Sequence, residues 1–456
     1  MEKRLYYIGF GAYAVMLLLS VLFYKERMTF LDGSYVLFHI IRKGTFCIEH
    51  FRYGAALAQI YPLLALKLGL SMNAIMVSYS AGYILNYFFC YVICGSLLKQ
   101  YRIALVVLLI NLLFVTYTFY WPVSELPQGL LICMVVFALI WGRSKPATWG
   151  LVVVALVALT FFHPMMFFAM AYTLVFFMLR KDINLDRRVV YVVAAIFFAA
   201  AVAKQLLVKS QYEADAMGAT NNFVRLFPNY FTNHSNRQFL YNCLTRYCWI
   251  PLVSLSILSV YRANKEPKKL VFFIVSVVGY LILVNVSYPT KYTGNFYLEN
   301  LYLPIGLFLG LPFIFDVLPV LELKKLALPV FLLIVVSGCA RIFLAHDVYT
   351  KRLDLERSVI ARFENKKVIL NAGNFDRNIL QMLWGTPYEL LLLSVAEHHK
   401  PASIIIDDDP KWRPWVVDQK KALLVNWNIY EYAQLNQQYF HFTDTTSGYI
   451  IDPVGQ

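Results

Sequence analysis

Acids, imidazoles and amines that could move protons or hold anions are rare in this chain and sit beside long apolar runs. Asp32 comes first, in KERMTFLDGSYVLFHIIRKG, followed in the same polar interruption by Glu49 and His50. Glu125 lies in Trp121-Pro122-Val123-Ser124-Glu125, His163 in Thr160-Phe161-Phe162-His163-Pro164, and Lys204 near the end of AAIFFAAAVAKQLLVKS. A carboxylate fixed near a membrane surface can act as a general base toward a hydroxyl within hydrogen-bond reach. An imidazole or ammonium close by can contact phosphate or sugar oxygens. Each also has a structural role open to it. Asp32 fits as the N-cap of a helix running toward Arg42, Glu125 as a first-turn acid behind a Ser124 cap, and His163 as a turn residue. Glu49 and His50 fit as solvated loop groups, and Lys204 as a cation that snorkels to the surface.

The elements that must hold these side chains are membrane helices. In 456 residues, 59% are hydrophobic and only 15% charged, which excludes an ordinary soluble globule. Apolar runs cover residues 5–24, 71–97, 103–120, 126–142, 147–162, 164–180, 189–208, 247–261, 270–288, 298–319 and 326–344, eleven in all. Lipid offers backbone groups no partners, so each run is expected to be helical. Lys25, and no small-residue cleavage site, follows the first run, which is therefore expected to stay as a span. The stretch 53–68 is short and holds Pro62 and Lys67, the pattern of an interfacial or re-entrant helix.

With 53–68 left uncrossed, the short basic turns at Lys3/Arg4, Lys99/Arg102, Arg143/Lys145, Arg180/Lys181/Arg187/Arg188, Arg262/Lys265/Lys268/Lys269 and Lys324/Lys325 all fall on one side. Basic turns collect in the cytoplasm, so this side is expected to be cytoplasmic, with the N-terminus. The net charge of +14 is then topogenic, and no nucleic acid is expected as partner. The other side receives the long segments 25–70, 209–246 and 289–297 and everything after about residue 345. The expected architecture is an all-α polytopic bundle over 1–345 and a small α/β extracytoplasmic domain over 346–456. That tail alternates KKVILNAG, a helical DRNILQMLWGTPYELLLLSVAEHH, ASIIIDDD, KALLVNW, YFHFT and GYIID. Asp407-Asp408-Asp409 reads as a solvated strand end. Of seven cysteines, Cys47, Cys243 and Cys248 are expected on the outer side, where a Cys243 to Cys248 bridge is one option. No Gly-rich phosphate loop, CxxC pair or HExxH helix occurs.

Leu31-Asp32-Gly33, Arg52-Tyr53-Gly54 through Tyr61-Pro62-Leu63-Leu64 to Lys67-Leu68-Gly69, and Tyr297-Leu298-Glu299-Asn300-Leu301-Tyr302-Leu303-Pro304 complete the pattern. With the ladder of spans and the outer C-terminal domain, it resembles the GT-C superfamily of integral-membrane glycosyltransferases. The family often has an arginine near the last motif, where this chain has Lys291. The resemblance implies transfer of a sugar from a polyprenyl-phosphate-linked donor to a hydroxyl of a glycan, lipid or protein. It places the reaction at the outer face of a membrane, expected to be the bacterial inner membrane, with Asp32 as base. It also implies that Lys291, with Tyr292, contacts the donor phosphate and that Glu125 is a second acid. Metal dependence stays open, and a divalent cation would be sought near Asp32 and Glu125. Two other classes fit the composition: a flippase or transporter of lipid-linked saccharides, and a non-catalytic membrane assembly protein. No duplicated half, as many transporters show, is visible.

Overall fold

The computed structural model describes residues 1–141, 146–180, 186–208, 210–289, 295–364, 366–409 and 418–451. The apolar runs are helical: Glu2–Leu22, Met72–Val92, Tyr101–Leu113, Glu125–Trp141, Pro146–Leu159, Met166–Met178, Arg187–Leu207, Trp249–Ala263, Pro267–Ser287, Asn295–Pro312 and Ala327–Leu344. Six helices among the described residues are long and apolar enough to cross a membrane. A seventh is added if His234–Thr245 and Trp249–Ala263, which meet at 89°, are one broken span. The remaining apolar helices are shorter. Tyr101–Leu113 has 13 residues, or roughly 20 Å at 1.5 Å per residue, against roughly 30 Å of hydrocarbon. It stops short because residues 114–124 leave helical geometry inside the bundle, which is tolerated where protein groups satisfy the freed backbone.

Tyr101–Leu113 is the axis of the packing, with every residue from Ile103 to Leu113 buried. Gly306 and Gly310, one turn apart on Asn295–Pro312, let that helix close on it. Carbon atoms at their Cβ positions would stand 3.7 Å from the Ile110 backbone and 3.5 Å from the Val106 side chain. Apolar side chains turned away from the bundle, such as Leu206 and Leu207 or Val271, Val275 and Val278, are exposed, as lipid-facing groups are. The expected short helix is Ala56–Lys67, containing Pro62. Leu57, Ile60, Leu64 and Leu68 form an exposed apolar stripe along it, the pattern of a helix lying in an interface.

Arg143, Lys145 and Lys181 lie outside the described residues; among the described ones, basic turns meet at one end of the bundle. The N-terminal amine approaches Glu322 at 4.0 Å, Arg102 pairs with Glu2 at 2.5 Å, and Arg180 and Lys269 share Asp316 at 2.6 and 3.4 Å. Asp32 lies beyond the far end of Glu2–Leu22, a helix of 21 residues. If the two ends face opposite sides of a membrane, single cysteines at the exposed positions Glu49 and Lys265 should react with an impermeant maleimide from opposite sides. Labelling of both from one side would defeat that arrangement.

After Ala327–Leu344 the chain passes through the single turn residue Ala345 and continues as His346–Arg362 into the C-terminal region. There β1 (Lys367–Asn371) pairs in parallel with β2 (Ser403–Asp407), with Val368 opposite Ile404. β3 (Ala422–Leu424) and β4 (Ile429–Glu431) form an antiparallel hairpin, and β5 (Ile450–Ile451) adds in parallel to the free edge of β1. The crossover from β1 to β2 carries helix Thr386–His398, as a parallel pair requires. The tail departs from its sequence reading in two places. The long helix is split into Arg377–Leu380 and Thr386–His398, because Gln381 turns at φ 21° and Pro387 starts a new helix at its first turn. YFHFT is not a strand, since Tyr439 and Phe440 are buried against the bundle, with the Tyr439 hydroxyl on the Leu70 carbonyl at 2.7 Å. Lys25 to Glu397 at 2.6 Å and Asn73 to the Ala396 carbonyl at 2.9 Å add to that junction. All seven cysteines are free, so Cys243 and Cys248 are not bridged. Asp408, at the end of β2, pairs with Arg377 at 2.7 Å.

Candidate functional site

Asp32 is the first residue of helix Asp32–Lys43 and does not cap it. The cap position belongs to Leu31, which makes no side-chain cap bond and has φ 44° and ψ −116°. A β-carbon makes that backbone costly, by roughly 1–3 kcal/mol, so neighbours must hold it. They come from the C-terminal domain: Leu31 N–H donates to Glu389 Oε1 at 2.9 Å, and Arg352 grips the other Glu389 oxygen at 2.8 Å. Gly385 lies so close that a Cβ there would stand 2.9 Å from Leu31 Cα and 2.5 Å from Glu389 Oε1. Gly385→Val should therefore lower the thermal unfolding midpoint by the equivalent of roughly 1–3 kcal/mol, as overpacking does, and an unchanged midpoint would show the contact to be loose.

With capping excluded, the Asp32 carboxylate is directed elsewhere. Trp121 Nε1 donates to its Oδ2 at 2.8 Å. Trp121 sits in the irregular segment 114–124, which buried charges hold in place. Glu299 accepts from Thr116 N–H at 2.6 Å, Thr118 N–H at 2.8 Å, the Thr118 hydroxyl at 2.7 Å and the Tyr247 hydroxyl at 2.6 Å. Arg341 donates to the Leu112, Leu113 and Val115 carbonyls, and Arg27 to that of Phe119. At the end of the segment Ser124 Oγ accepts from Leu126 N–H at 3.3 Å and caps helix Glu125–Trp141, as expected.

Asp32, Glu49, His50, Glu125, His163 and Lys204, far apart in sequence, all line one cavity of about 1030 Å³. Lys291 and Tyr292 lie outside the described residues; Tyr288 and Tyr297, which flank them in sequence, line the same cavity. Phe167, Phe168, Phe197, Val202 and Leu283 make part of the lining apolar, and Tyr35, Met382, Trp384 and Trp427 contribute another part. The chain matches no protein-family model, no curated protein and no solved structure. Any chemical reading of the cavity is therefore carried by its geometry.

An ion network forms part of the cavity lining. Arg52 approaches Glu125 at 3.6 Å and Glu213 at 3.7 Å, and Lys204 meets Glu213 at 3.2 Å. Glu213 is thus shared by both cations, so an entering anion can take that acid's place. Lys204 therefore does not simply snorkel. His50 stacks on Tyr212 with centroids 4.0 Å apart and planes 8° from parallel, and Glu49 accepts from the Tyr35 hydroxyl at 3.3 Å. His163 Nδ1 accepts from Met165 N–H at 3.2 Å, which leaves the proton of the neutral ring on Nε2. The turn role and the cavity role coexist there.

Burial raises the pKa of Asp32 above the usual carboxylate range, against the lowering effect of the Trp121 hydrogen bond. Burial likewise depresses His163 well below an ordinary imidazole, with Arg52 and Lys204 adding to the effect, so the ring is neutral near pH 7. Among the described residues no group of three or more His, Cys, Asp or Glu side chains is placed to hold a metal ion. Sequence reasoning missed Arg52, Glu213, Trp121 and Glu299 as site residues. Arg52, Trp121 and Glu299 stand inside motifs already singled out, whereas nothing about Glu213 marks it until the loop folds back.

Proposed function

We propose that the chain is a membrane glycosyltransferase that moves a sugar from a polyprenyl-phosphate-linked donor to an acceptor hydroxyl, with Asp32 as general base. In this reading the apolar helices make up an eleven-span bundle of GT-C type in the bacterial inner membrane, with the N-terminus cytoplasmic and the C-terminal domain outside. The observation that carries it is the convergence of Asp32, Glu125, His163 and Lys204 on one cavity between apolar helices and a polar domain. The flank of Phe167, Phe197, Val202 and Leu283 suits an isoprenoid chain. Arg52 and Lys204 suit the phosphate that leaves with it, by exchanging Glu213 for the ligand. Asp32, fixed by Trp121, is then the carboxylate available to take the acceptor proton.

The test is a vesicle assay with a donor labelled in its sugar. Proteoliposomes holding the full chain and a polyprenyl-phosphate hexose are followed for label that leaves the lipid fraction and for label that changes leaflet. Transfer to a water-soluble or lipid acceptor supports the proposal. Movement between leaflets with the lipid-sugar bond intact would instead make the protein a flippase.

A further inference from the structure

The end of the cavity nearest the C-terminal domain is built from indoles. The hairpin of β3 and β4 is closed by a hydrogen bond from Val425 N–H to the Asn428 carbonyl at 3.0 Å, which leaves Asn426 and Trp427 at its tip. Trp427 is 63% exposed, an unfavourable place for so large an apolar surface unless something covers it. Its ring stacks on Trp384, with centroids 5.1 Å apart and planes 26° from parallel. Tyr35 meets Trp384 edge-on at 6.2 Å. All three line the cavity that holds Asp32. Trp384 directly precedes Gly385, whose backbone packs on Leu31, so the indole pair and the Asp32 turn form one unit.

A pyranose ring presents a flat face of C–H groups and an equator of hydroxyls. It is complementary to a rigid aromatic wall with hydrogen-bond acceptors at its edge. Trp384 and Trp427 supply the wall, and Glu49, held by Tyr35, and Asp32 supply acceptors on the same cavity surface. We infer that Trp384 and Trp427 form a carbohydrate-binding subsite, and that the molecule receiving the transferred sugar is a glycan, in preference to a protein or a lipid. The ligand's role as acceptor rests on the transferase reading; the subsite itself does not. A bilayer fits Trp427 less well, because the indole stands between Asn426 and Asn428 and its stacking partner shares a wall with two carboxylates. Asp32 lines the same cavity, so the terminal hydroxyl of a glycan lying on the indoles and a lipid-borne donor can meet at the carboxylate.

The experiment applies the full chain in nanodiscs to an immobilised panel of defined oligosaccharides built from neutral hexopyranoses, N-acetylhexosamines or hexuronates. The unmodified chain is expected to bind at least one of these classes. Trp427→Ala, a change at an exposed hairpin tip, is expected to weaken that binding at least tenfold, and Trp427→Phe, which keeps a flat ring, by less than threefold. Absence of binding to every class, or equal binding by Trp427→Ala, would overturn the subsite. A second measurement takes the Trp427 emission as the difference between the unmodified chain and Trp427→Phe. Quenching of that emission by brominated phospholipid would make the residue a bilayer contact and also overturn the inference. Glycan binding by a chain that transfers no sugar would count against the transferase reading alone, and transfer by a chain that binds no glycan against the subsite alone.

Discussion

If Asp32 is the base of the proposed transferase, Asp32→Asn is expected to reduce sugar transfer from a lipid-linked donor by roughly 10²–10⁴-fold while leaving protein abundance and the unfolding midpoint nearly unchanged. Asparagine has the same shape, and its Oδ1 still accepts from Trp121 Nε1, so the bond at 2.8 Å survives and only the basicity is lost. The pH profile carries a further signature. Burial raises the Asp32 pKa, and the base works only when ionised, so transfer should climb with pH through a midpoint above the usual carboxylate range. Trp121→Phe removes the hydrogen bond that opposes this shift and should move the climb to still higher pH. The stability consequence has the opposite sign. A carboxyl whose folded pKa is raised contributes stability at low pH that is lost as pH rises through that value. Transfer that is undiminished in Asp32→Asn would remove Asp32 as base. A profile whose acid limb does not move in Trp121→Phe would separate the indole from the carboxylate's chemistry.

How much of this was legible in the sequence depends on the range over which each feature is decided. Helices in an apolar chain follow from the lack of backbone partners in lipid, so every run was visible, as was the short helix with Pro62 and its outward stripe. The number that cross was not, because helix length is set where the chain leaves helical geometry. For Tyr101–Leu113 that point depends on Glu299 and Arg341, about 180 and 230 residues away. Asp32, Glu125, His163 and Lys204 stood out as polar groups at the ends of apolar runs, a local signal. Their partners did not. Arg52 meets Glu125 and Glu213 only after three separate segments fold together, and Trp121 looks like an interfacial aromatic until its N–H is seen on Asp32. The error over the Asp32 cap has the same origin. Asp-Gly-Ser before an amphipathic run is a sound cap pattern, but Glu389 takes the Leu31 N–H and shifts the helix start by one residue. In the tail, Pro387 signalled a helix start that the apolar pattern of DRNILQMLWGTPYELLLLSV concealed.

Arg352→Ala is expected to produce the largest loss of stability, about 3–5 kcal/mol, through charges that the substitution strands inside the protein. Arg352, Glu356 and Glu389 are all buried, with the guanidinium 3.2 Å from Glu356 and 2.8 Å from Glu389. Arg352 also donates to the carbonyls of Ile379 and Met382, and so ties His346–Arg362 to the segment between Arg377–Leu380 and Thr386–His398. Without it Glu389 Oε2 and two carbonyls lose their donor, and Glu356 loses the cation beside it. Glu389→Gln leaves Arg352 one carboxylate and keeps an oxygen for Leu31 N–H, so its cost should be well under half as large. The pair of variants divides two effects on catalysis. If the Glu389 contact with Leu31 aims Asp32, Glu389→Gln should retain most transfer at a temperature where the protein is folded. Glu389→Ala, which frees the strained Leu31 backbone, should lose at least tenfold in kcat with little change in donor KM. Midpoints measured in detergent, with transfer assayed well below them, distinguish the cases. An Arg352→Ala protein that unfolds within a degree or two of the unmodified chain would show the triad to be hydrated and of little consequence for the fold. A Glu389→Ala protein with unaltered kcat would show that Leu31 holds its turn without help from the C-terminal domain.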